Sequence, residues 1–111
     1  MDTFQALAEP RRRRVVEILA QRGRLSATQI CVEFDVTPQA MSQHLRVLRD
    51  ANVIEMEKRA QKRLYGLNPR SMDEIESWTA SVTGLWNGRL DRLDAALKED
   101  AGAAKGSGAN W

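Results

Sequence analysis

Residues 26–51 read SATQICVEFDVTPQAMSQHLRVLRDA, and this stretch decides the fold. Ser26 and Gln29 have the spacing of a capping box, in which each side chain accepts a hydrogen bond from the other residue's backbone N–H. Thr37 followed by Pro38 places an N-cap residue directly before a proline that suits the first helical position. The stretch therefore predicts two helices joined by a tight turn, which is a helix-turn-helix.

The turn between these two helices is expected at Asp35 and Val36. The first helix should run to about Phe34 and the second to about Ala51. Aspartate tolerates the left-handed backbone conformation better than most other residues, so Asp35 suits such a turn.

The second helix has an apolar face and a polar face. At 100° per residue, Met41, Leu45 and Leu48 share the face that we expect to pack inward. On the opposite face and its flanks, Gln could pair bidentately with adenine, Ser could bond several bases, and a small Ala could approach a thymine methyl. A helix face that only meets water can have a similar composition, so the surrounding residues must decide between the two interpretations.

After this helix, core-facing and outward-facing residues alternate with a period of two, which predicts a β-hairpin with strands at 53–59 and 62–67. Ile54 and Met56 should face the core opposite Tyr65 and Leu67. The connection Ala60-Gln61 lacks the Gly or Asn that tight hairpin turns favour, so we expect a looser, mobile tip. Basic side chains bracket this tip, where they could reach phosphates or a minor groove; they are Lys58, Arg59, Lys62 and Arg63.

Helices are predicted on both sides of this central region. Asp2 or Thr3 can cap a short first helix with an apolar stripe at Phe4 and Leu7. Pro10 can open a second helix, which ends at Gly23 as a left-handed C-cap. Of its four arginines at 11–14, at most two can face one partner, and the others should form surface ion pairs.

Apolar residues recur at intervals near 3.5 in the last part of the chain and predict a long helix at 71–99. Gly84 and Asn87-Gly88 weaken its middle and could bend or break it. Its stripe is too apolar for one exposed helix on a small domain, so it packs on its own chain, on another chain, or on both. We favour a dimer interface that includes Phe4, Leu7, Ile75, Trp78, Val82, Leu85 and Trp86. Residues 101–111 should be a disordered tail.

Composition narrows the possible functions. The 111 residues are 42% hydrophobic and 29% charged, as in one globular domain. No apolar run would span a membrane and no secretory signal is visible, so we expect a cytoplasmic protein. Residues 1–70 carry 13 Lys and Arg against 8 Asp and Glu, whereas residues 71–111 carry 4 against 7, which suggests a basic working surface in the first part.

The reactive residue types are few. Cys31 is the only cysteine and His44 the only histidine, so the chain has no internal disulfide and no cluster of Cys or His for a metal. Cys31 is better explained as a small core residue than as a redox switch. His44 lies beside the inward face, with no nucleophile or carboxylate spaced for catalysis. We therefore predict no enzyme activity and no cofactor.

Several segments together resemble the ArsR family of bacterial transcriptional regulators. They are AEPRRRR at 8–14, TPQAMSQHLRVL at 37–48 and NVI at 52–54, with YGLNP at 65–69 and WNGRLDRL at 86–93 resembling one branch. The resemblance covers about residues 3–98 and implies a homodimeric winged-helix repressor that binds double-stranded DNA. Metal-sensing relatives have paired cysteines where this chain has Ser26 and Thr28, so the resemblance implies a branch without that metal site. Many relatives also have glycine at the wing tip.

The combined prediction is a mainly α protein with a small β-hairpin (α+β), a winged helix-turn-helix in one domain at 1–100 with helical dimerisation elements at both ends. The helix-turn-helix spans 26–51 and the wing 53–67. A dimer would match a palindromic operator with half-sites about one helical turn (~10 bp), or a multiple of it, apart. The predicted DNA-contact residues are Thr37, Gln39, Ala40, Ser42, Gln43, Arg46, Arg49, Lys58, Arg59, Lys62, Arg63 and Arg11.

Two other functions stay open. One is a regulator controlled by a small organic ligand at the dimer interface, where Gly84, Trp78 and Trp86 could leave a pocket. The other is a winged-helix module that binds proteins and has no role on DNA. An apolar outer face at 39–46 would indicate that second function, whereas the face in this sequence is polar and basic.

Overall fold

A computed structural model describes residues 1–100 of the chain. These residues form a mainly helical fold with one antiparallel hairpin, as predicted for a winged helix-turn-helix. The elements are α1 Thr3–Ala6, α2 Pro10–Arg22, α3 Ala27–Cys31, α4 Pro38–Asp50, β1 Ile54–Arg59, β2 Lys62–Leu67 and α5 Pro69–Asp100. The chain divides into two compact units, residues 1–75 and residues from 76 onward. The predicted disordered tail at 101–111 lies outside the described residues.

Helices α3 and α4 begin where the capping signals predict. The Gln29 N–H donates to Ser26 Oγ at 3.2 Å, and the Ser26 N–H donates to Gln29 Oε1 at 2.9 Å, which completes the capping box. The Ala40 N–H donates to Thr37 Oγ1 at 3.1 Å. These bonds satisfy backbone donors that a helix leaves unpaired at its N-terminus, so the start of each helix is fixed locally.

The prediction for the N-terminus of α2 is confirmed, whereas the prediction for its C-terminus is wrong. Pro10 occupies the first helical position as predicted, and Glu9 before it is the N-cap. Gly23 follows Arg22 with a positive φ of 83°, but its ψ of −148° lies outside the left-handed helical region. The expected left-handed C-cap is therefore wrong, although the Gly23 N–H still donates to the Leu19 carbonyl at 2.9 Å.

The turn inside the helix-turn-helix also differs from expectation. Helix α3 ends at Cys31, and beyond it the Phe34 N–H donates to the Cys31 carbonyl at 3.0 Å in a tighter turn. Phe34 still packs against the core, which explains why the apolar spacing continued past the helix end. Asp35 does not take the left-handed conformation; within residues 1–100 the non-glycine residues with positive φ are Asn52 and Ala60.

Asn52 ends α4 in a Schellman motif. Its φ is 62°, its N–H donates to the Arg49 carbonyl at 3.0 Å, and the Val53 N–H donates to the Leu48 carbonyl at 2.9 Å. Leu48 and Val53 are both fully buried, so the apolar contact that accompanies this motif is present. The motif fixes the direction in which the chain leaves α4 and enters the wing.

The hairpin has the predicted register, with Ile54 opposite Leu67. Arg59 pairs with Lys62, so two residues alone connect the strands. The expected looser tip is therefore wrong. Ala60 takes a φ of 57°, which costs a residue with a Cβ about 1–2 kcal/mol but closes a tight turn without glycine.

A contact from outside the hairpin holds the base of the wing. The Leu25 N–H donates to the Tyr65 carbonyl at 3.0 Å, and the Tyr65 N–H donates to the Leu25 carbonyl at 2.7 Å. Arg24 adds ion pairs to Glu55 at 3.3 Å and Glu57 at 3.5 Å. The segment before α3 thus forms an isolated β-bridge with β2, which joins the wing to the helix-turn-helix.

The first unit has a single cluster of buried apolar side chains. On α1 the buried residues are Thr3 and Ala6, whereas Phe4 is 39% exposed and Leu7 is partly buried against the core. Thr3 Oγ1 donates to Glu74 Oε1 at 2.7 Å. The buried cluster consists of Ala6, Val15, Ile18, Leu19, Leu25, Ile30, Met41, Leu45, Leu48, Ala51, Val53 and Ile54.

Helix α5 starts earlier than predicted and is continuous. The Arg70 N–H donates to Asn68 Oδ1 at 3.0 Å, and Pro69 takes the first helical position. The helix passes through Gly84 and Gly88, so the predicted break does not occur. A glycine costs a helix about 1 kcal/mol relative to alanine, which does not stop propagation in a long helix. In the described part of the chain, no helix is long and apolar enough to cross a membrane.

Candidate nucleic-acid interface

Helix α4 turns its predicted contact residues to solvent. Met41, Leu45 and Leu48 are at most 2% exposed and form its inner face, as predicted. Ala40 is half-buried, while the other predicted contact residues of this helix are all exposed; these are Gln39, Ser42, Gln43, Arg46 and Arg49. Thr37 is exposed and caps the helix. A helix with one polar, accessible face fits the major groove of B-DNA, which admits an α-helix.

Five cations on α4 and the wing have no carboxylate partner in the part of the chain that the structure describes. Arg46 and Arg49 on α4 are exposed, as are Lys58, Lys62 and Arg63 on the wing. Among the ion pairs of residues 1–100, none involves these five side chains. Uncompensated cations of this kind favour contacts with phosphates.

Arg59 is different from the other wing cations. Its Nη2 and Nε lie 3.0 and 3.2 Å from Glu57 Oε1. Because one carboxylate already compensates this guanidinium, Arg59 would have to exchange Glu57 for a phosphate.

Three of the four arginines at the start of α2 have separate partners. Arg11 pairs with Glu9 at 3.5 Å, and Arg14 pairs with Glu17 at 3.4 Å. Arg12 Nε donates to the Ala6 carbonyl at 2.6 Å, which ties α2 to α1. The four consecutive arginines therefore do not form one basic surface.

One contact between the start of α2 and α4 could not be predicted from the sequence patterns. Glu9 Oε2 accepts the Arg12 N–H at 3.0 Å and lies 3.8 Å from His44 Nδ1. Burial raises the pKa of Glu9, but the Arg12 N–H bond and the nearby charges of His44 and Arg11 lower it more, so the net shift of this pKa is downward. The two residues lie far apart in sequence, and no local spacing connects them.

The residues considered for metal and redox roles have structural partners. Ser26 is the N-cap of α3, and Thr28 is exposed. Cys31 is half-buried against the core, and its Sγ lies 3.9 Å from the Val36 carbonyl oxygen. Cys31 also borders an apolar cavity of about 370 Å³ between α3 and α4. Within residues 1–100, no three His, Cys, Asp or Glu side chains are grouped so that they could hold a metal ion.

The predicted dimer residues fall into two groups. In the first unit, Phe4 is exposed, Ile75 is half-buried and Leu7 packs against the core. In the second unit, the exposed fractions of the predicted residues range from 43% to 74%; these residues are Trp78, Val82, Leu85 and Trp86. The second group thus gives α5 an apolar face that is accessible in a single chain.

Comparison with known proteins places the chain among bacterial regulators. A family model described as a helix-turn-helix domain matches residues 7–57. The HTH-type transcriptional regulator Rv2034 of Mycobacterium tuberculosis is 34% identical over 86 residues, which cover 73% of this chain and 79% of that protein. The arsenical resistance operon repressor of Bacillus subtilis is 34% identical over 74 residues, which cover 67% of this chain and 70% of that protein.

The fold agrees with these sequence relationships. A crystal structure of an ArsR family transcriptional regulator superimposes with a TM-score of 0.68 at 29% identity, covering 77% of this chain and 87% of that one. The similar proteins are transcriptional regulators, and none of these three is described as an enzyme. The chain therefore belongs to the ArsR family of winged helix-turn-helix, DNA-binding transcriptional regulators.

Proposed function

We propose that this regulator is a homodimeric repressor that binds a palindromic operator in the cytoplasm. The observation that carries the proposal is the outer face of α4, where Gln39, Ser42 and Gln43 are exposed beside cations that have no carboxylate partner among the described residues. A face that served only to keep the helix soluble would gain nothing from leaving these cations uncompensated. The polar, basic character of the face also argues against a module that binds apolar protein surfaces.

Each part of the first unit has its own task in this proposal. The glutamines and Ser42 read base edges in the major groove. Arg46 and Arg49 at the edge of α4 contact phosphates, and so does the wing through Lys58, Lys62 and Arg63. Arg11 and Arg59 contribute after exchanging their carboxylate partners for phosphates.

The dimer follows from the exposed apolar face of α5. Trp78, Val82, Leu85 and Trp86 expose large side chains of the kinds that cores of protein interfaces contain. Burying such surface is worth about 25 cal/mol per Å², so a second copy of the chain gains most by covering this face. Phe4, Leu7 and Ile75 of the first unit are the remaining predicted members of this interface. A two-fold dimer presents two reading helices at a fixed spacing.

We further propose that DNA release does not depend on a thiolate-bound metal. Ser26 and Thr28 stand where thiolates would be needed, and the Ser26 hydroxyl already caps α3. Zinc, cadmium or arsenite at low micromolar concentration should leave operator affinity unchanged. Metal-dependent release that persists in Cys31→Ser would contradict this part of the proposal.

The main experiment is selection of duplexes from a random-sequence pool by the native chain. A mobility-shift assay then compares the selected duplex with a scrambled duplex of equal length. We expect the selected duplex to bind at least about 10³-fold more tightly. Equal affinity for both duplexes would show that charge alone drives binding, which would contradict a sequence-specific repressor.

A further inference from the structure

Glu9 has more partners than a helix cap requires. One carboxylate oxygen, Oε2, accepts the Arg12 N–H at 3.0 Å, and Oε1 pairs with Arg11 Nη1 at 3.5 Å. Oε2 also lies 3.8 Å from His44 Nδ1 on α4. This carboxylate therefore joins the start of α2 to the helix that carries the predicted base-reading face.

The length of this side chain matters. Asp, Asn, Ser and Thr are the preferred N-caps because their short side chains reach the first turn easily. Glutamate is not among the preferred caps, but its extra methylene carries the carboxylate towards α4. The cap alone does not account for these additional contacts.

His44 has an unused group that faces this carboxylate. Its side chain is 17% exposed, and its buried Nδ1 has no hydrogen-bond partner among residues 1–100. A buried polar atom without a partner is unfavourable, so a carboxylate that approaches it by less than 1 Å would complete a hydrogen bond. Glu9 is the carboxylate that lies within 4 Å of His44 in the described chain, and Arg11 is the cation paired with Glu9.

We propose that Glu9 is a positioning residue for base readout, acting between Arg11 and His44. When Arg11 turns from Glu9 to a phosphate, the carboxylate loses its counter-charge, and a hydrogen bond from the His44 Nδ1–H replaces it. The phosphate contact of α2 and the orientation of α4 thereby become linked. This inference rests on the proposed DNA contact of Arg11.

The specificity ratio measures this positioning and is defined as the affinity for the selected duplex divided by that for the scrambled duplex. A loss of positioning lowers this ratio, whereas a loss of phosphate contact alone lowers both affinities equally.

Three variants separate positioning from folding. Glu9→Gln keeps an oxygen that can accept the Arg12 N–H but removes the charge that pairs with Arg11 and His44. His44→Gln removes the partner on α4. Glu17→Gln is the matched control, because Glu17 is another carboxylate of α2 that pairs with an arginine, at 3.4 Å from Arg14.

We expect Glu9→Gln and His44→Gln each to lower the specificity ratio about tenfold, with thermal unfolding midpoints near that of the native chain. The double variant should be no worse than either single variant, because the two residues act as one unit. Glu17→Gln should behave as the native chain.

The outcomes distinguish this inference from the proposed function. A native chain that discriminates between the duplexes while Glu9→Gln keeps the native specificity ratio would overturn the positioning role alone. Additive losses in the double variant would also overturn it. A native chain that does not discriminate at all would overturn both proposals.

Discussion

Helices α4 and α5 differ in how far their apolar side chains are exposed to solvent. Met41, Leu45 and Leu48 of α4 are nearly inaccessible, whereas the exposed fractions of Trp78 and Leu85 on α5 are 57% and 74%. The accessible face of α4 is polar and basic, so it suits a charged partner. The accessible face of α5 is apolar, so it suits a partner with a similar apolar face. We infer that one chain carries a DNA-reading surface and a self-association surface on separate helices.

The largest effect should come from a charge on the apolar face of α5. Val82→Asp would bury an unpaired carboxylate in the proposed dimer, which is costly. The first unit keeps its own core, so we expect a folded, mainly monomeric protein. Operator affinity should fall about 10³-fold, towards the non-specific level. Sedimentation and mobility-shift assays measure the two effects.

A matched control tests whether position matters more than charge. Ala80 is also exposed on α5, but it lies on the opposite side of the helix from Val82 by the 100° rotation per residue. Ala80→Asp should leave both dimer and operator binding unchanged. A stable dimer in Val82→Asp would place the dimer contact elsewhere.

The next effect compares equivalent truncations on the two helices. Leu45→Ala removes a buried side chain and should lower the free energy of unfolding by about 3 kcal/mol. Leu85→Ala removes an exposed side chain and should lower it by less than about 0.5 kcal/mol. Both substitutions are made in the Val82→Asp background, and urea unfolding then measures the free energy of unfolding of the single chain without a contribution from the dimer. Equal losses would show that α5 is buried within its own chain.

A smaller effect tests base reading by α4. Gln43→Ala should weaken binding to the selected duplex by about 2 kcal/mol and leave binding to the scrambled duplex unchanged. Gln21 is an exposed glutamine on α2, so Gln21→Ala is the matched control and should change neither affinity. Equal weakening of both duplexes by Gln43→Ala would assign Gln43 to general rather than base-specific contacts.

The smallest effect concerns the wing. Lys62 is exposed without a carboxylate partner in the described chain, so Lys62→Gln should weaken binding to every sequence and reduce the slope of log K against log salt by about 1. Lys98→Gln removes the same charge from α5, where Lys98 pairs with Asp94 at 3.4 Å. That control should keep the native slope. An unaltered slope in Lys62→Gln would remove the wing tip from the contact surface.

The parts of the fold that could be predicted from sequence are those set by local bonds. The Ser26 capping box and the Thr37 cap depend on residues three positions apart, so their spacing is visible in the chain. The inner face of α4 follows from helical periodicity in the same way. Apolar spacing also predicted too late an end for α3, because Phe34 reaches the core from a turn beyond the end of this helix.

The parts that could not be predicted depend on distant residues or on unusual backbone. The bridge between Leu25 and Tyr65 and the approach of Glu9 to His44 join segments that the fold alone brings together. The tight wing tip requires Ala60 to accept a positive φ, which the rest of the hairpin stabilises. For the site, the sequence could suggest which cations contact DNA, but not that Glu57 already compensates Arg59.

The central claim is that two copies of α4 read the two halves of one symmetric site. Hydroxyl-radical footprinting of the native chain on its selected duplex tests this claim most directly. We predict two protected segments related by two-fold symmetry, with centres about one helical turn (~10 bp), or a multiple of it, apart. A single protected segment without a symmetric partner, or uniform protection along the duplex, would contradict the claim.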